Sequence, residues 1–320
     1  MTTRTDGENA TGSVASGHIT VGFDGSDGSS TAVQWAAVEA RRRNLTLRIV
    51  TAFGPDYIFT TDEECRAYTE KVADKAEGEA LDAAPGVTVE NRGYRDLPGS
   101  ALREESKTAD LLVVGSRGRG GFTGLLLGSV SRQCAHRSQC PVVVVRPSES
   151  GGTVATTKAP PPDQARPSDP AESDVRRIVV GVDGSPSSNA ALLWAADEAA
   201  PTGSRLKLFH TWEWMTSAGW SMIPTDFDPR HDAQTVLDRA IAPVLATHPD
   251  LEISAVVAEG QAAEVLANAS TGAELLVVGS RGHGEVSGML LGSVSDYCVT
   301  HAHCPVLVMR GAGAGAPARH

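Results

Sequence analysis

Two stretches of this chain are near-copies of each other: LLVVGSRGRGGFTGLLLGSVS, from Leu111 to Ser131, and LLVVGSRGHGEVSGMLLGSVS, from Leu275 to Ser295. A second pair repeats in the same order, VGFDGSDGSSTAVQWAAVEA from Val21 to Ala40 and VGVDGSPSSNAALLWAADEA from Val180 to Ala199. Self-similarity at a spacing close to one domain length marks an internal duplication, so the chain should fold as two related units, each with its own core. Its 320 residues suffice for both. Between the copies, GGTVATTKAPPPDQARPSDPAES (Gly151 to Ser173) is rich in Pro, Ala, Thr and Ser without an apolar period and reads as an extended linker. The expected layout is a disordered tail at 1–17, a first domain at 18–147, a linker at 148–174, a second domain at 175–310 and a disordered tail at 311–320.

Apolar residues make up 41% and charged residues 21%, a globular composition. A formal net charge of −11 disfavours nucleic acid and anionic lipid, leaving small molecules and an unidentified protein as the expected partners. The opening MTTRTDGENATGSVASG lacks the apolar core of a signal peptide, and no window approaches the roughly 18 apolar residues of a membrane span, so a cytoplasmic protein is expected. Five cysteines (Cys65, Cys134, Cys140, Cys298, Cys304) fit reduced thiols better than a disulfide framework.

Within each copy, short aliphatic runs alternate with longer amphipathic stretches. HITVGFD and RIVVGVD read as first strands, LTLRIVTAF and SRLKLFHTW as second, GVTVENRGY and LEISAVVAEG as third, DLLVVGS and ELLVVGS as fourth, CPVVVVR and CPVLVMR as fifth. Helices are expected around Trp35 and Trp194, after TTDEEC, and from about Asp232 to Ala246. Ser185 followed by Pro186 is a helix start: the serine caps free N–H groups, and proline suits the first helical position. Strands separated by helices imply right-handed crossovers and a parallel sheet, so each copy should be a doubly wound α/β domain of five strands with helices on both faces.

In such a sheet a ligand binds beyond the carboxyl ends of the strands, where the strand order reverses. With the order 3-2-1-4-5, the reversal falls between the first and fourth strands. Asp24 and Asp183 end the first strands; the loops starting at Gly115 and Gly279 follow the fourth. Both loops keep one spacing, Gly115, Gly118, Gly128-Ser129 and Gly279, Gly282, Gly292-Ser293. Glycines let the backbone approach a phosphate closely, and the helix opened by each Gly-Ser favours an anion at its N-terminus. Phosphate binding is the natural hypothesis. No Gly-Lys-Ser/Thr follows, so this is not a Walker loop, and Arg117, Arg281 or a divalent cation would have to neutralise the charge.

These features resemble the universal stress protein family in its tandem two-domain, ATP-binding form, whose pattern is Gly-x2-Gly-x9-Gly-Ser/Thr after the fourth strand and an Asp closing the first. The resemblance implies an adenine nucleotide alpha-hydrolase-like fold, one ATP or other adenine nucleotide per domain with Mg2+ as its cation, a regulatory or protective role in stress, and no established reaction. It places Asp24 and Asp183 against adenosine, and Ala52 and Thr211 against base or ribose. Gly115, Gly118, Gly128, Ser129 and Val130, or Gly279, Gly282, Gly292, Ser293 and Val294, would hold ribose and phosphates. It also implies pairing through the fifth strands, Val142 to Val145 with Val306 to Met309, as a pseudo-dimer within one chain or in a homo-oligomer; such pairing would cover exposed strand edges. The copies differ where Arg119 and Gly121 correspond to His283 and Glu285.

Plainer readings stand beside these. The glycine loops could be tight turns, the two aspartates turn or cap residues, and Arg117, Arg119 and Arg281 solvated charges. Cys134 with Cys140, and Cys298 with Cys304, read as buried packing rather than a metal or redox sensor. His301, His303 and Cys304 match no standard zinc spacing. Trp35 and Trp194 read as core, and Trp212, Trp214 and Trp220 as an aromatic loop that covers a ligand, meets a partner or simply packs. A slow ATP hydrolase or phosphotransferase is the alternative function. It ranks below binding because no second carboxylate or lysine recurs beside the glycine loop.

Overall fold

The computed structural model describes residues 17–54, 62–119, 126–146, 176–213, 228–282 and 291–310. The expected linker, both tails, Gly121, His283, Glu285, Trp214 and Trp220 lie outside these residues. The first half runs β1 (His18–Gly22), α1 (Asp27–Arg43), β2 (Thr46–Ala52), α2 (Asp62–Ala83), β3 (Val89–Tyr94), α3 (Pro98–Glu105), β4 (Leu111–Gly115), α4 (Ser129–Arg137) and β5 (Val142–Val145). The second repeats it: β6 (Arg177–Gly181), α5 (Pro186–Thr202), β7 (Arg205–Trp212), α6 (Pro229–Thr247), β8 (Ile253–Glu259), α7 (Ala262–Ala269), β9 (Leu275–Gly279), α8 (Ser293–His301) and β10 (Val306–Met309).

The strands form one sheet in the order β3-β2-β1-β4-β5-β10-β9-β6-β7-β8. Each half is therefore 3-2-1-4-5 and parallel throughout. The halves meet through β5 and β10, which pair antiparallel with Val143 opposite Leu307. Fifth-strand pairing is thus realised within the chain.

Strand alternation sorts the core into two layers. Ile19, Val21, Leu47, Ile49, Leu111 and Val113 belong to one, with α1 residues such as Ala32, Val33 and Ala36. Val50, Leu112, Val114, Val142 and Val144 belong to the other, with Leu102 of α3 and Cys134 of α4. Helix ends follow local chemistry. Ser26 Oγ accepts from Ser29 N at 3.3 Å to start α1, and Asn44 ends it in the left-handed region at φ 54°. Ser185 caps α5 in the same way with Pro186 behind it, and Gly203 closes that helix at φ 66°.

Three differences from the sequence expectation matter. α3 and α7 come between the third and fourth strands, where the apolar pattern singles out no helix. α6 begins at Pro229 because Asp228 caps it, accepting from Arg230 N at 3.0 Å. Trp212 ends β7, as the strand reading SRLKLFHTW expects and against its inclusion in an aromatic loop. Trp35 and Trp194 are only partly buried, packed against the core's rim. No helix among the described residues is long and apolar enough to cross a membrane.

Candidate functional site

At the end of β1 the chain turns through Asp24-Gly25-Ser26, with Gly25 at φ 83°. The Asp24 carboxylate accepts from Ser26 N at 3.0 Å and Ser26 Oγ at 2.5 Å, so it shapes the turn that starts α1. Its other oxygen accepts from Arg119 N at 2.9 Å, which ties the glycine loop after β4 to the turn after β1. Burial pushes this carboxyl up, but the hydrogen bonds from Ser26, Arg119 N–H and Ser29 outweigh it and hold Asp24 below its ordinary value. The second half repeats the turn: Ser185 N donates to Asp183 at 2.9 Å, and Gly184 sits at φ 82°.

The glycines are dictated by close approach. A Cβ on Gly115 would lie 2.5 Å from the Gly28 carbonyl oxygen, and one on Gly279 would lie 2.6 Å from Ser187 Oγ and 2.8 Å from Ser188 N. A Cβ on Gly118 or Gly282 would overlap the carboxylate of Asp24 or Asp183. Each loop is anchored at its base, where Gly128 N donates to Ser116 O and Gly292 N to Ser280 O, both at 2.8 Å. The second serine of each Gly-Ser-Val-Ser is spent internally: Ser131 Oγ donates to Gly115 O and Ser295 Oγ to Gly279 O, both at 2.5 Å. Ser129 and Ser293 are not buried. Gly128 and Gly292 cap α4 and α8 with no side-chain hydrogen bond, so the first N–H groups of these helices are left to another acceptor.

Each half encloses a cavity over the switch point. Asp24, Ala52, Gly115, Gly118, Gly128, Ser129 and Val130 line the first, of about 370 Å³. Asp183, Thr211, Gly279, Gly282, Gly292, Ser293 and Val294 line the second, of about 490 Å³. Both volumes fall within the roughly 300–1,000 Å³ of small-molecule pockets. Arg117 and Arg119 line the first and Arg281 the second, and the Arg119 guanidinium bonds to Tyr68 Oη.

Sequence reasoning missed the apolar wall opposite these loops, formed by Leu102 of α3 and Leu266 of α7. A signal was available, since Pro98-Gly-Ser-Ala-Leu carries a proline suited to a first helical position ahead of apolar residues. The walls also differ between halves: Val50 lines the first cavity, whereas Phe209 and His210 line the second. His210 Nδ1 faces Val182 O at 2.6 Å; because a carbonyl only accepts, that nitrogen carries the proton.

A charged network holds α3 in the first half alone. Glu105, with its side chain 2% exposed, pairs with Arg48 at 3.0 Å and Arg92 at 3.4 Å and accepts from Tyr94 Oη. Arg48 also reaches His18 Nε2 at 2.6 Å; since arginine only donates, His18 is neutral there. Burial and the Arg48 charge hold His18 below its ordinary 6.5. Burial raises the Glu105 carboxyl, but Tyr94, Arg48 and Arg92 more than offset it and hold it below 4.5. Both groups therefore take up protons more readily in the unfolded chain. Their contribution to stability is present above the unfolded values and is lost as pH falls, first below 6.5 through His18 and then below 4.5 through Glu105. The repeat places Arg177, Lys207 and Ala269 at the positions of His18, Arg48 and Glu105. Acidification from pH 7 to 5 is expected to loosen α3 and β1 before α7 and β6, read as earlier peptide-level hydrogen exchange; equal change in both halves would contradict this.

Cys134, Cys140, Cys298 and Cys304 are free and buried, and burial pushes each thiol up to about 12. Such thiols are poor nucleophiles and poor metal ligands. Among the described residues no group of three His, Cys, Asp or Glu side chains is placed to hold a metal.

The model of the universal stress protein family matches residues 16–146 and 174–310. A universal stress protein of Mycobacterium tuberculosis strain H37Rv is 32% identical over 306 residues, covering 91% of this chain and 96% of that protein. One from Mycolicibacterium smegmatis is 31% identical over 303 residues, with the same coverage. The crystal structure of a universal stress protein from Archaeoglobus fulgidus superposes with a TM-score of 0.66 over 92% of this chain and 98% of that one, at 20% identity, a likeness of fold.

Proposed function

The chain belongs to the universal stress protein family, and from that premise we propose that each half binds one adenine nucleotide, ATP foremost, and that occupancy sets the surface offered to a protein partner in a stress response. One observation carries the reading: the same nucleotide-sized cavity is built twice over the switch point from Asp, glycine loop and uncapped helix N-terminus.

Adenosine would lie on the apolar side, between Ala52 and Leu102 or between Thr211 and Leu266. Phosphates would take the N–H groups of Gly128-Ser129-Val130 or Gly292-Ser293-Val294 together with the hydroxyl of Ser129 or Ser293. Arg117 and Arg281 supply countercharge, and Mg2+ would enter with the phosphates. Asp24 and Asp183 act chiefly as clamps that hold the loop in binding shape. That use of the carboxylates favours a binding module over a hydrolase, because a general base must be available to a water or substrate. A ligand that bridges the loop and α4 favours whichever state binds it better, by the difference in affinity for the two states.

Calorimetry and native mass spectrometry are expected to find two adenine nucleotides per folded chain, with ATP turnover no faster than in buffer. Failure of ATP, ADP, AMP and cyclic AMP to bind at millimolar concentration would overturn the proposal.

A further inference from the structure

The contacts across the seam between the halves fall into two groups. Some respect the repeat. β5 and β10 present Val142 to Val145 against Val306 to Met309, apolar throughout. Arg146 Nη2 donates to Val299 O at 2.7 Å, and its equivalent Arg310 donates to Ala135 O at 2.5 Å. Two copies of either half could make these contacts equally well, so they cannot choose a partner.

The others break the repeat, on both faces of the sheet. Arg132 and Asp296 are the fourth residues of α4 and α8, hence equivalent positions, and they face each other with opposite charge at 3.1 Å. His136 Nε2 lies 3.1 Å from the other Asp296 oxygen. On the opposite face Glu39 and Glu198 are equivalent residues of α1 and α5, but only α1 adds Arg42 and Arg43, where α5 has Pro201 and Thr202. Arg43 Nη2 reaches Glu198 at 2.7 Å, Arg42 pairs with both Glu39 and Glu198, and the Arg43 guanidinium lies 4.9 Å from the centre of the Trp194 ring. This cluster is well shielded from solvent, with the Glu198 side chain 12% exposed.

We propose that these charges are a specificity key: they select a first half with a second half and reject pairing of like halves. By the equivalence of positions, two first halves would set Arg132 against Arg132 with His136 alongside. Two second halves would set Asp296 against Asp296 on one face and Glu198 against Glu198 on the other with no arginine between them. Like charges facing across a seam discriminate by penalty, which an all-apolar strand pair cannot do. The partner this surface fits is the unlike half, first of all that of the same chain, so fifth-strand pairing closes within the molecule rather than chaining copies together. The proposal is independent of nucleotide binding.

The test is the full chain carrying a protease site inserted between residues 147 and 175, cleaved after folding and followed by native mass spectrometry at low and high salt. The cut wild type is expected to remain one first half with one second half, with like pairs at least tenfold rarer and the preference weakening as salt screens the charges. Glu198→Lys with Asp296→Lys is expected to weaken unlike pairing at least tenfold. The exchange Arg132→Asp with Asp296→Arg keeps it near wild type, although either change alone weakens it. Circular dichroism of the uncut variants separates a mispaired seam from an unfolded half. Like and unlike pairs in statistical proportion from the cut wild type, or unchanged pairing in folded Glu198→Lys/Asp296→Lys, would overturn the proposal.

Discussion

Gly115→Ala is expected to abolish nucleotide binding in the first half and leave the second at full strength, so that titration with ATP falls from two molecules per chain to one. The added methyl would lie 2.5 Å from the Gly28 oxygen, 2.6 Å from its carbon and 3.0 Å from Ser29 N. All three are backbone atoms at the start of α1, so no rotamer relieves the clash. Either the end of β4 or the first turn of α1 moves, and both carry the cavity wall. Overpacking of this kind costs about 1–3 kcal/mol, enough to lower the melting temperature without unfolding the chain. Gly279→Ala should remove the second site in the same way, and the double variant should bind nothing. Gly78→Ala is the control: a methyl added there on α2 would have nothing within 4 Å of it. Losing a helical glycine at that position should stabilise the fold by about 0.5–1 kcal/mol and leave binding intact. Two ATP per chain at unchanged affinity in Gly115→Ala would remove the assigned site.

Glu105→Ala is expected to destabilise the first half by about 1–3 kcal/mol, because it leaves Arg48 with only the more exposed Glu90 as its anion and takes away the acceptor of the Tyr94 hydroxyl. The effect should reach the cavity, since Leu102 stands one turn earlier on α3. Trp35, the one tryptophan among the first 150 residues, reports this half in urea unfolding monitored by fluorescence. A shift of its midpoint equal to that of Glu104→Ala, whose side chain is 64% exposed, would mean the network contributes nothing.

Much of this architecture is legible in the sequence because the repeat supplies two readings of every motif. The strand order, the switch point and the convergence of Asp24, Ala52 and the glycine loop follow from spacing, parallel-sheet rules and family resemblance. What stays hidden depends on contacts distant in sequence. That Gly115 must be glycine because of Gly28, or that Asp24 is committed to the N–H of Arg119, has no local signature. α3 escapes a periodicity reading because, at eight residues, it has too few turns for an apolar period to stand out. The network around Glu105 is invisible for another reason: His18, Arg48 and Glu105 come from three separate elements, and each alone looks like an ordinary surface charge.

The antiparallel seam has a directional consequence. Within each half every strand runs the same way, and its cavity opens at the carboxyl ends; pairing β5 with β10 head to tail turns the second half around relative to the first. The two mouths therefore look out from opposite margins of one continuous sheet. On the proposed binding function, a partner docked at one margin would meet one ligand only, with the sheet standing between the two. Under that proposal the duplicated domain would be two-ended, presenting different states to two neighbours at once.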